Sequence, residues 1–369
     1  MNKKYLMGFI ACAALTVTSC SNDEVMDAAL QQEAKAIQFS TYLGRDVETK
    51  GAVLTTDGLK TQGFGVFAYY TGQDALSRYT GTEANFMKNT KVTFSGPSWT
   101  YTPLKYWPNN PGDKVSFFAY APHDASITCT LANGALTVPF TVNNTVKDQI
   151  DFLWNNANVT DQTKPTTSAT TNFTFKHALS RIGFTVSAAV DESTVGSNTL
   201  DENTTIELQK IVLSKDVNGA TGIFYTNGDL LLNNTANDAE WNNTSGAQFF
   251  TLEPTNNFVD NRVITLNKGN STTAQQVNND ASYLMIIPQK VTFNVYVEYK
   301  VITDPEGSDS STITNKINNT ATINFESGKA YTLKLVLGMT SVKVTGIVSD
   351  WDTPASETVV NVPINTTEP

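Results

Sequence analysis

Apolar residues recur at every second position along much of the chain after Ile37, with turn residues roughly every eight to twelve positions. In Val291–Val301 every odd position is apolar, and the even positions are polar apart from Tyr296. Tyr331–Leu337 repeats this alternation. Such spacing predicts strands with one buried and one wet face. Because no stretch of comparable length has helical spacing, the sequence predicts an all-β fold made of β-sandwich domains.

Two Asn-Gly pairs predict tight hairpins. Asn133–Gly134 predicts a hairpin whose register is Leu131 with Leu136, Cys129 with Val138, and Ile127 with Phe140. That register places Cys129 on the apolar face, as a buried structural cysteine. Asn227–Gly228 predicts a second hairpin within Ile223–Leu232.

The chain changes phase in its middle. Phe173 and Phe175 have one parity, whereas the apolar residues from Ile182 to Val186 have the other, which indicates a bulge or a crossing to another sheet or domain. Residues 158–169 are polar and contain Lys164–Pro165, which is typical of a linker. A chain of 369 residues is long enough for two domains, predicted at 51–165 and 166–369. Polar surface loops are predicted at 233–246, 267–280 and 303–319.

Composition argues against several functions. The 25 basic and 35 acidic residues give a net charge of -10, so a nucleic acid or an anionic membrane surface is not expected as a partner. The two histidines, His123 and His177, are far apart and lack zinc-ligand spacing, and we expect His177 to be a partly buried structural residue with a local hydrogen bond. We predict no enzyme, no metal and no cofactor. A hydrolase would need a cleft with a carboxylate pair free of Lys and Arg.

One cluster of aromatic residues permits a binding hypothesis. It consists of Trp99, Tyr101, Tyr106 and Trp107. These rings could form a stacking platform for glycan, or they could pack in a core, as such rings more commonly do. The sequence leaves both interpretations open.

The amino terminus has the features of an export signal. Lys3–Lys4 precedes the apolar stretch Tyr5–Val17, which is too short to span a bilayer, and residues 1–19 are therefore predicted to be a signal peptide. Val17–Cys20 resembles a lipobox, in which Cys20 would be acylated, palmitate being one such chain, and would anchor the chain in a membrane. Ser21–Glu24 resembles the export tags of Bacteroidetes surface lipoproteins. The alternative is an ordinary signal peptide with a chance cysteine.

Seven short motifs follow the lipobox in order. They are Ile37–Ser40, Phe64–Tyr70, Tyr106–Pro108, Val115–Pro122, Asp151–Leu153, Phe175–Leu179 and Gly328–Leu333. Together they resemble the fimbrillin family of Bacteroidetes, with its Mfa-like and FimA-like pilins, over nearly the whole chain after Cys20. The resemblance implies two tandem transthyretin-like β-sandwich domains. It also implies a fimbrial (pilus) subunit for cell adhesion, anchored by lipid in the outer membrane and then polymerised into a fimbrium on the cell surface.

The resemblance further implies how such a subunit assembles. A trypsin-like protease removes the lipidated leader, residues 20–50, together with the first strand, Ile37–Leu43. The family's cut site corresponds to Lys50–Gly51, with Lys where Arg is typical, and Arg45–Asp46 is the alternative. A strand from another subunit then fills the open groove, because an edge with unpaired backbone groups accepts a new strand.

The carboxy-terminal tail, residues 355–369, is the candidate donor strand. Val360, Val362 and Ile364 share one face in it. The alternative is that the tail completes its own domain, and the sequence does not decide between the two. Expected partners are other fimbrial subunits, the lipoprotein export machinery, the protease, and a host or bacterial surface glycan or protein. The alternative functions are a surface lipoprotein that keeps its lipid and binds glycan, or a tip or anchor subunit.

Overall fold

The computed structural model describes residues 35–43, 54–155, 157–167, 170–189, 199–217, 219–232, 238–278, 282–304, 309–351 and 358–360. Strands dominate, and the predicted all-β class is confirmed. The short helix α1 (Thr56–Gln62) has the Thr55 hydroxyl as its amino-terminal cap, accepting from the Gly58 amide at 3.1 Å. Single 3₁₀ turns occur at Leu76–Arg78, Val146–Asp148 and Val259–Asn261.

The strands follow in chain order. The first are β1 (Gln38–Leu43), β2 (Phe64–Gly72), β3 (Met87–Ser95), β4 (Ser98–Thr100), β5 (Lys114–Ala121), β6 (Thr130–Ala132), β7 (Ala135–Thr141), β8 (Leu153–Asn155), β9 (Gln162–Thr163) and β10 (Thr170–His177). The next are β11 (Ser180–Ala188), β12 (Thr204–Ser214), β13 (Asn227–Leu232), β14 (Glu240–Ser245), β15 (Phe250–Leu252), β16 (Ile264–Leu266) and β17 (Gln275–Gln276). The last are β18 (Leu284–Ile286), β19 (Gln289–Thr303), β20 (Ser311–Phe325), β21 (Lys329–Leu337), β22 (Val342–Asp350) and β23 (Thr358–Val360).

These strands form four sheets within the described residues. The first has the order β1-β10-β8-β5-β2-β3-β4, with β9 on β5. The second is β17-β11-β21-β22-β23, with β18 on β11, and the third is β15-β12-β19-β20, with β16 on β12. The fourth is β14-β13-β7-β6.

The first sheet is buried on both faces. One face packs on the fourth sheet, where Tyr69 and Phe118 share a core with Leu136 and Leu230. The other face is enclosed because β1 and β4, at opposite ends of the strand order, contact each other and the sheet curls. Burial on both faces explains why Phe64–Tyr69 reads as a continuous apolar run rather than an alternating one.

The second and third sheets enclose a separate core. The odd positions of β19 from Val291 to Val301 are all buried, as the alternation predicts. The surface loop predicted at 303–319 is wrong beyond residue 310, because β20 pairs with β19 from Ser311 to Phe325. Its polar first half was misleading: β19 satisfies the backbone of β20, so the exposed Thr and Asn side chains need no buried face. The loop predicted at 233–246 likewise contains β14.

The phase change in the middle of the chain is a crossing between sheets. β10, which ends at His177, is the last strand of the first sheet in chain order. β11, which begins at Ser180, belongs to the second sheet. The crossing lies downstream of the boundary predicted at residue 165. The fourth sheet joins β6 and β7 to β13 and β14, which lie on opposite sides of that boundary. The division into two tandem domains stays a prediction, because this sheet belongs to both.

The hairpin at Asn133–Gly134 is confirmed, with Leu131 opposite Leu136. Its ladder ends at Thr130 and Thr137, so the predicted pairs of Cys129 with Val138 and Ile127 with Phe140 are wrong. In a two-residue hairpin every second pair exchanges hydrogen bonds, and the next such pair would be Thr128 with Pro139. Proline has no N–H to donate, so the ladder stops. Cys129 is partly buried against the core, and burial raises the pKa of its thiol.

The hairpin predicted at Asn227–Gly228 is wrong. Both residues lie inside β13, where Gly228 is the Cα partner of Phe140 on β7. A Cβ on Gly228 would lie 3.0 Å from the Trp241 ring, so glycine serves close packing here rather than a turn.

We expect Gly134→Ala to destabilise the protein by about 1 kcal/mol, because Gly134 has a φ of 78° in the hairpin turn. A Cβ there would meet only ordinary contacts, with Ser77 at 3.5 Å, so the backbone conformation sets the effect. The matched control is Gly58→Ala in α1, where helix propensity should stabilise by about 0.5 kcal/mol. Denaturant unfolding measures both, and equal effects of one sign would contradict this explanation.

Candidate functional site

The first strand of the fold lies at an edge of the first sheet. β1 runs parallel to β10, with Phe39 opposite Thr171 and Leu43 opposite Phe175. β10 is the neighbour of β1 in the strand order. A parallel edge strand of six residues can leave without breaking any ladder except its own.

The residues just before β1 are bonded on their other side. The Ile37 amide donates to the Lys105 carbonyl at 2.9 Å, and the Trp107 amide donates to the Lys35 carbonyl at 2.9 Å. The Tyr101 hydroxyl donates to the Ile37 carbonyl at 2.9 Å. The Tyr101 hydroxyl is a neutral donor at physiological pH, and burial raises its pKa further above the ordinary value. We call Lys35–Leu43 the leader strand, since it precedes both candidate cut sites.

Four aromatic rings surround the Phe39 side chain. The ring centroids of Phe173 and Tyr101 are each 5.3 Å from that of Phe39, and those of Phe117 and Phe64 are at 5.9 and 6.2 Å. Ile37 and Leu43 are buried in the same core. We call the bed formed by β10, these four rings and residues 101–107 the leader groove. The leader side chains buried in this groove, Ile37, Phe39 and Leu43, lie on one face of the strand. Any replacement strand must present apolar side chains at the same alternating positions.

The segment that carries both candidate cut sites is held at its two ends. The Thr56 hydroxyl donates to the Leu43 carbonyl at 3.3 Å, and the Leu54 amide donates to the Asp151 carboxylate at 2.7 Å. Between these ends, Arg45, Asp46, Lys50 and Gly51 lie outside the described residues. Each cut would therefore separate the leader strand from a chain whose new beginning is bonded at Leu54.

Asp151 also joins a buried pair. Its carboxylate oxygens lie 2.9 and 3.0 Å from Nδ1 of His177, and the two side chains are 0% and 2% exposed. The sequence predicts a local hydrogen bond for His177, and the structure shows a carboxylate partner 26 residues away. The imidazole stacks on the indole of Trp351, with ring centroids 4.3 Å apart and an interplanar angle of 2°. The pair thus links the residues after the cut sites to the residue before the tail.

The four residues of the predicted glycan platform do not share one exposed surface. Trp99 packs edge-on against Phe64 at 4.9 Å, and Trp107 is buried against Phe117 at 5.7 Å. Tyr101 packs on Phe39, whereas Tyr106 is 48% exposed. Three of these rings therefore build the leader groove or its core. Glycan binding stays a prediction, with Tyr106 offering the exposed ring.

Part of the predicted donor tail pairs within its own chain. β23 lies antiparallel to β22, with Val360 opposite Gly346 and Thr358 opposite Val348. Val362 and Ile364 lie outside the described residues, as does Cys20. The pairing of β23 is compatible with a tail that completes its own domain and with one that leaves it later.

No other chemistry emerges from the described part of the chain. Its residues contain no group of three or more His, Cys, Asp and Glu that could hold a metal ion. Among the same residues, no helix is long and apolar enough to cross a membrane. Sequence reasoning missed Phe64, Phe117 and Phe173 as groove residues, although they stand in or near its motifs. The available signal was an aromatic residue within the apolar pattern of each of three separate strands.

Comparisons with known proteins agree with this architecture. The model of the family described as fimbrillin-like matches residues 52–351. The chain is 31% identical over 372 aligned residues to the fimbrium subunit Fim1C of Phocaeicola vulgatus, which covers 90% of this chain and 92% of that protein. The crystal structure of a fimbrial protein from Bacteroides vulgatus superposes with a TM-score of 0.67 at 25% identity, covering 86% of this chain and 99% of that one. This chain, in which an edge strand lies in an aromatic groove and precedes two candidate sites for proteolysis, therefore belongs to the fimbrillin-like family.

Proposed function

We propose that this protein is a structural subunit of a fimbrium that polymerises by strand exchange after proteolysis. In this proposal the precursor is exported as a lipoprotein acylated on Cys20 and is held at the outer membrane. A trypsin-like protease then cuts after Lys50 or Arg45, the leader strand leaves, and a strand of another subunit enters the leader groove. The observation that carries the proposal is the edge position of a strand whose Phe39 ring lies among four other rings.

Apolar burial would drive the exchange. Burying Ile37, Phe39 and Leu43 contributes about 1.5–3 kcal/mol for each side chain, and an empty groove would lose this together with its ladder to β10. Removal of the signal peptide and the cut after Lys50 together remove five basic and six acidic residues, so the net charge of the mature form is -9, against -10 for the full chain. Electrostatic repulsion between subunits is therefore almost unchanged by processing. A strand of another subunit with apolar side chains at the same alternating positions would restore the apolar burial that departure of the leader strand removes.

The first test concerns processing. We expect the double variant Lys50→Ala with Arg45→Ala to keep its leader and to form no fimbriae, because neither site then fits a trypsin-like protease. Intact-mass analysis of the surface form, with electron microscopy of the cells, measures both results. The control is Lys88→Ala, which alters an exposed lysine paired with Glu83 and should be processed normally. Fimbriae built from uncut subunits would contradict the proposal.

The same mass measurement separates the rival function. A surface form that begins at Gly51 or Asp46 supports the fimbrial subunit, whereas a retained acylated Cys20 supports a glycan-binding surface lipoprotein or an anchor subunit. The donor role of the tail is tested by deleting Val359–Pro369. Polymer that forms equally well without these residues would overturn that role and leave the groove in need of another donor.

A further inference from the structure

Trp351, four residues before the carboxy-terminal tail, lies at one end of the leader groove. On β10 the side chains of Thr171, Phe173, Phe175 and His177 are buried on one face. The first three are Cα partners of leader-strand residues, ending with Phe175 opposite Leu43. His177 is the next buried position of β10 after Phe175, just beyond the end of β1, and its imidazole stacks on the indole of Trp351. The row of side chains under the leader strand therefore continues directly into the residue before the tail.

Trp351 is a fixed point. It is 4% exposed, its amide donates to the Gly328 carbonyl at 2.9 Å, and the Arg181 guanidinium lies 5.2 Å from its ring centroid. Stacking on His177 and the cation–π contact with Arg181 both hold the buried indole in place. The chain therefore leads into the tail from a fixed residue at the Leu43 end of the groove.

The tail is long enough to return into the groove. Eighteen residues follow Trp351, and at about 3.3 Å per residue they can extend roughly 60 Å. The leader strand from Lys35 to Leu43 occupies about 30 Å on the same measure. Residues 352–359 can therefore span the step from His177 to Leu43, with Val360, Val362 and Ile364 left to enter the groove.

We propose that, once the leader strand has left, the subunit's own tail enters its leader groove from the Leu43 end and closes it until another subunit displaces it. This inference rests on the proposed function, and it adds an intermediate: a processed but self-closed monomer. Because β1 runs parallel to β10 and the tail starts at the opposite end of the groove from Lys35, the inserted tail would run antiparallel to β10. Antiparallel pairing is at least as stable per residue as parallel pairing.

The closeness of the tail to its own groove favours insertion, and the poor fit of its Val and Ile side chains among the rings around Phe39 keeps insertion reversible. A short tether gives the tail an effective concentration in the millimolar range at its own groove. The rings around Phe39 enclose a phenyl group, whereas the tail offers Val and Ile at its alternating positions, so space remains unfilled. In the described part of the tail, three residues pair with the competing site on β22. Self-insertion thus protects the apolar groove without matching the leader strand in stability.

Disulfide trapping tests the proposal on the full-length chain. Thr174 is the outward-facing Cα partner of Tyr42, and Asn361 has the opposite parity to Val360 and Val362. Thr174→Cys with Asn361→Cys should therefore cross-link when the tail lies beside β10, and Asn172→Cys replaces Thr174→Cys to sample the neighbouring register. The background carries Cys129→Ser, and a site-specific protease sequence replaces residues 45–50. Cys12 and Cys20 leave with the leader fragment.

After cutting and removal of the leader fragment, we expect a disulfide within one chain, seen as a fast-migrating monomer on a non-reducing gel. Its yield should rise several-fold over the uncut precursor and stay constant on dilution. The matched control, Thr174→Cys with Val362→Cys, places the second thiol on the inward face and should cross-link several-fold less.

The outcomes separate this inference from the proposed function. No cross-link within chains at high dilution, combined with cross-links between chains when the two single-cysteine variants are mixed, overturns self-insertion and leaves strand exchange intact. Cross-links only within chains support self-insertion and contradict exchange through the tail. Absence of both kinds of cross-link contradicts self-insertion and exchange through the tail, and leaves exchange through another donor strand to be tested by the processing experiment.

Discussion

Phe39→Ala should lower the free energy of unfolding of the uncut precursor by about 3–5 kcal/mol, or by as much as docking of the leader strand contributes if that strand detaches first. The Phe39 ring has four aromatic neighbours at centroid distances of 5.3–6.2 Å, and all four are anchored on other elements. They cannot collapse around an alanine, so a cavity remains. Denaturant unfolding measures the global effect. Retention of the leader peptide after the 44–53 segment is cut, followed by gel filtration, measures docking.

The matched control lies on the same strand. Tyr42 is 60% exposed, so Tyr42→Ala removes an aromatic ring of similar size without opening a cavity. We expect its effect to stay within about 0.5 kcal/mol, with leader retention nearly unchanged. Equal loss of leader in the two variants would show that backbone pairing alone holds the strand and that the aromatic rings do not define the groove.

Asp151→Ala should destabilise the precursor by about 3–5 kcal/mol, because it breaks a buried pair and leaves its partners in the interior. The substitution removes the carboxylate partner of His177 and the acceptor of the Leu54 amide at 2.7 Å. Asp151→Asn retains one acceptor oxygen and should cost less. Thermal and denaturant unfolding measure the three proteins under identical conditions.

An exposed ion pair provides the comparison. Asp350 bonds to Lys329 near the same end of the molecule, and this hydrogen bond is the main cause of a raised Lys329 pKa. Asp350 is about half exposed, so Asp350→Ala should cost no more than about 1 kcal/mol. If Asp151→Ala proved as mild as Asp350→Ala, the link from Leu54 through Asp151 and His177 to Trp351 would not be a structural support.

The retention of the leader after cutting bears on assembly. Both ends of the 44–53 segment are bonded, at Leu43 and at Leu54, so a cut changes connectivity before it changes contacts. We infer that cleavage permits exchange, and that departure of the leader strand is a separate step whose rate depends on Phe39. This division would let a subunit travel to its site of polymerisation with a filled groove.

Some details of the site were accessible from local sequence and others were not. In a strand such as β19 the alternation predicts the buried face, because every second side chain points to the same side of the sheet. Asn133–Gly134 predicts a turn because these residue types tolerate positive φ, and in the structure their φ angles are 52° and 78°. Asn227–Gly228 carries the same local signal and lies in a strand, since β7 and β14 pair with it from elsewhere in the chain.

By itself the sequence determined the all-β class, the strand at Ile37–Leu43, the change of phase between Phe175 and Ile182, and the family to which the ordered motifs belong. Only the tertiary structure decided that this strand runs parallel to β10 at an edge, that Phe64, Tyr101, Phe117 and Phe173 enclose Phe39, and that Asp151, His177 and Trp351 meet. The physical reason is that alternation specifies which face of a strand is buried. Backbone hydrogen bonds are the same for every residue, so the choice of neighbour depends on packing between positions far apart in the chain.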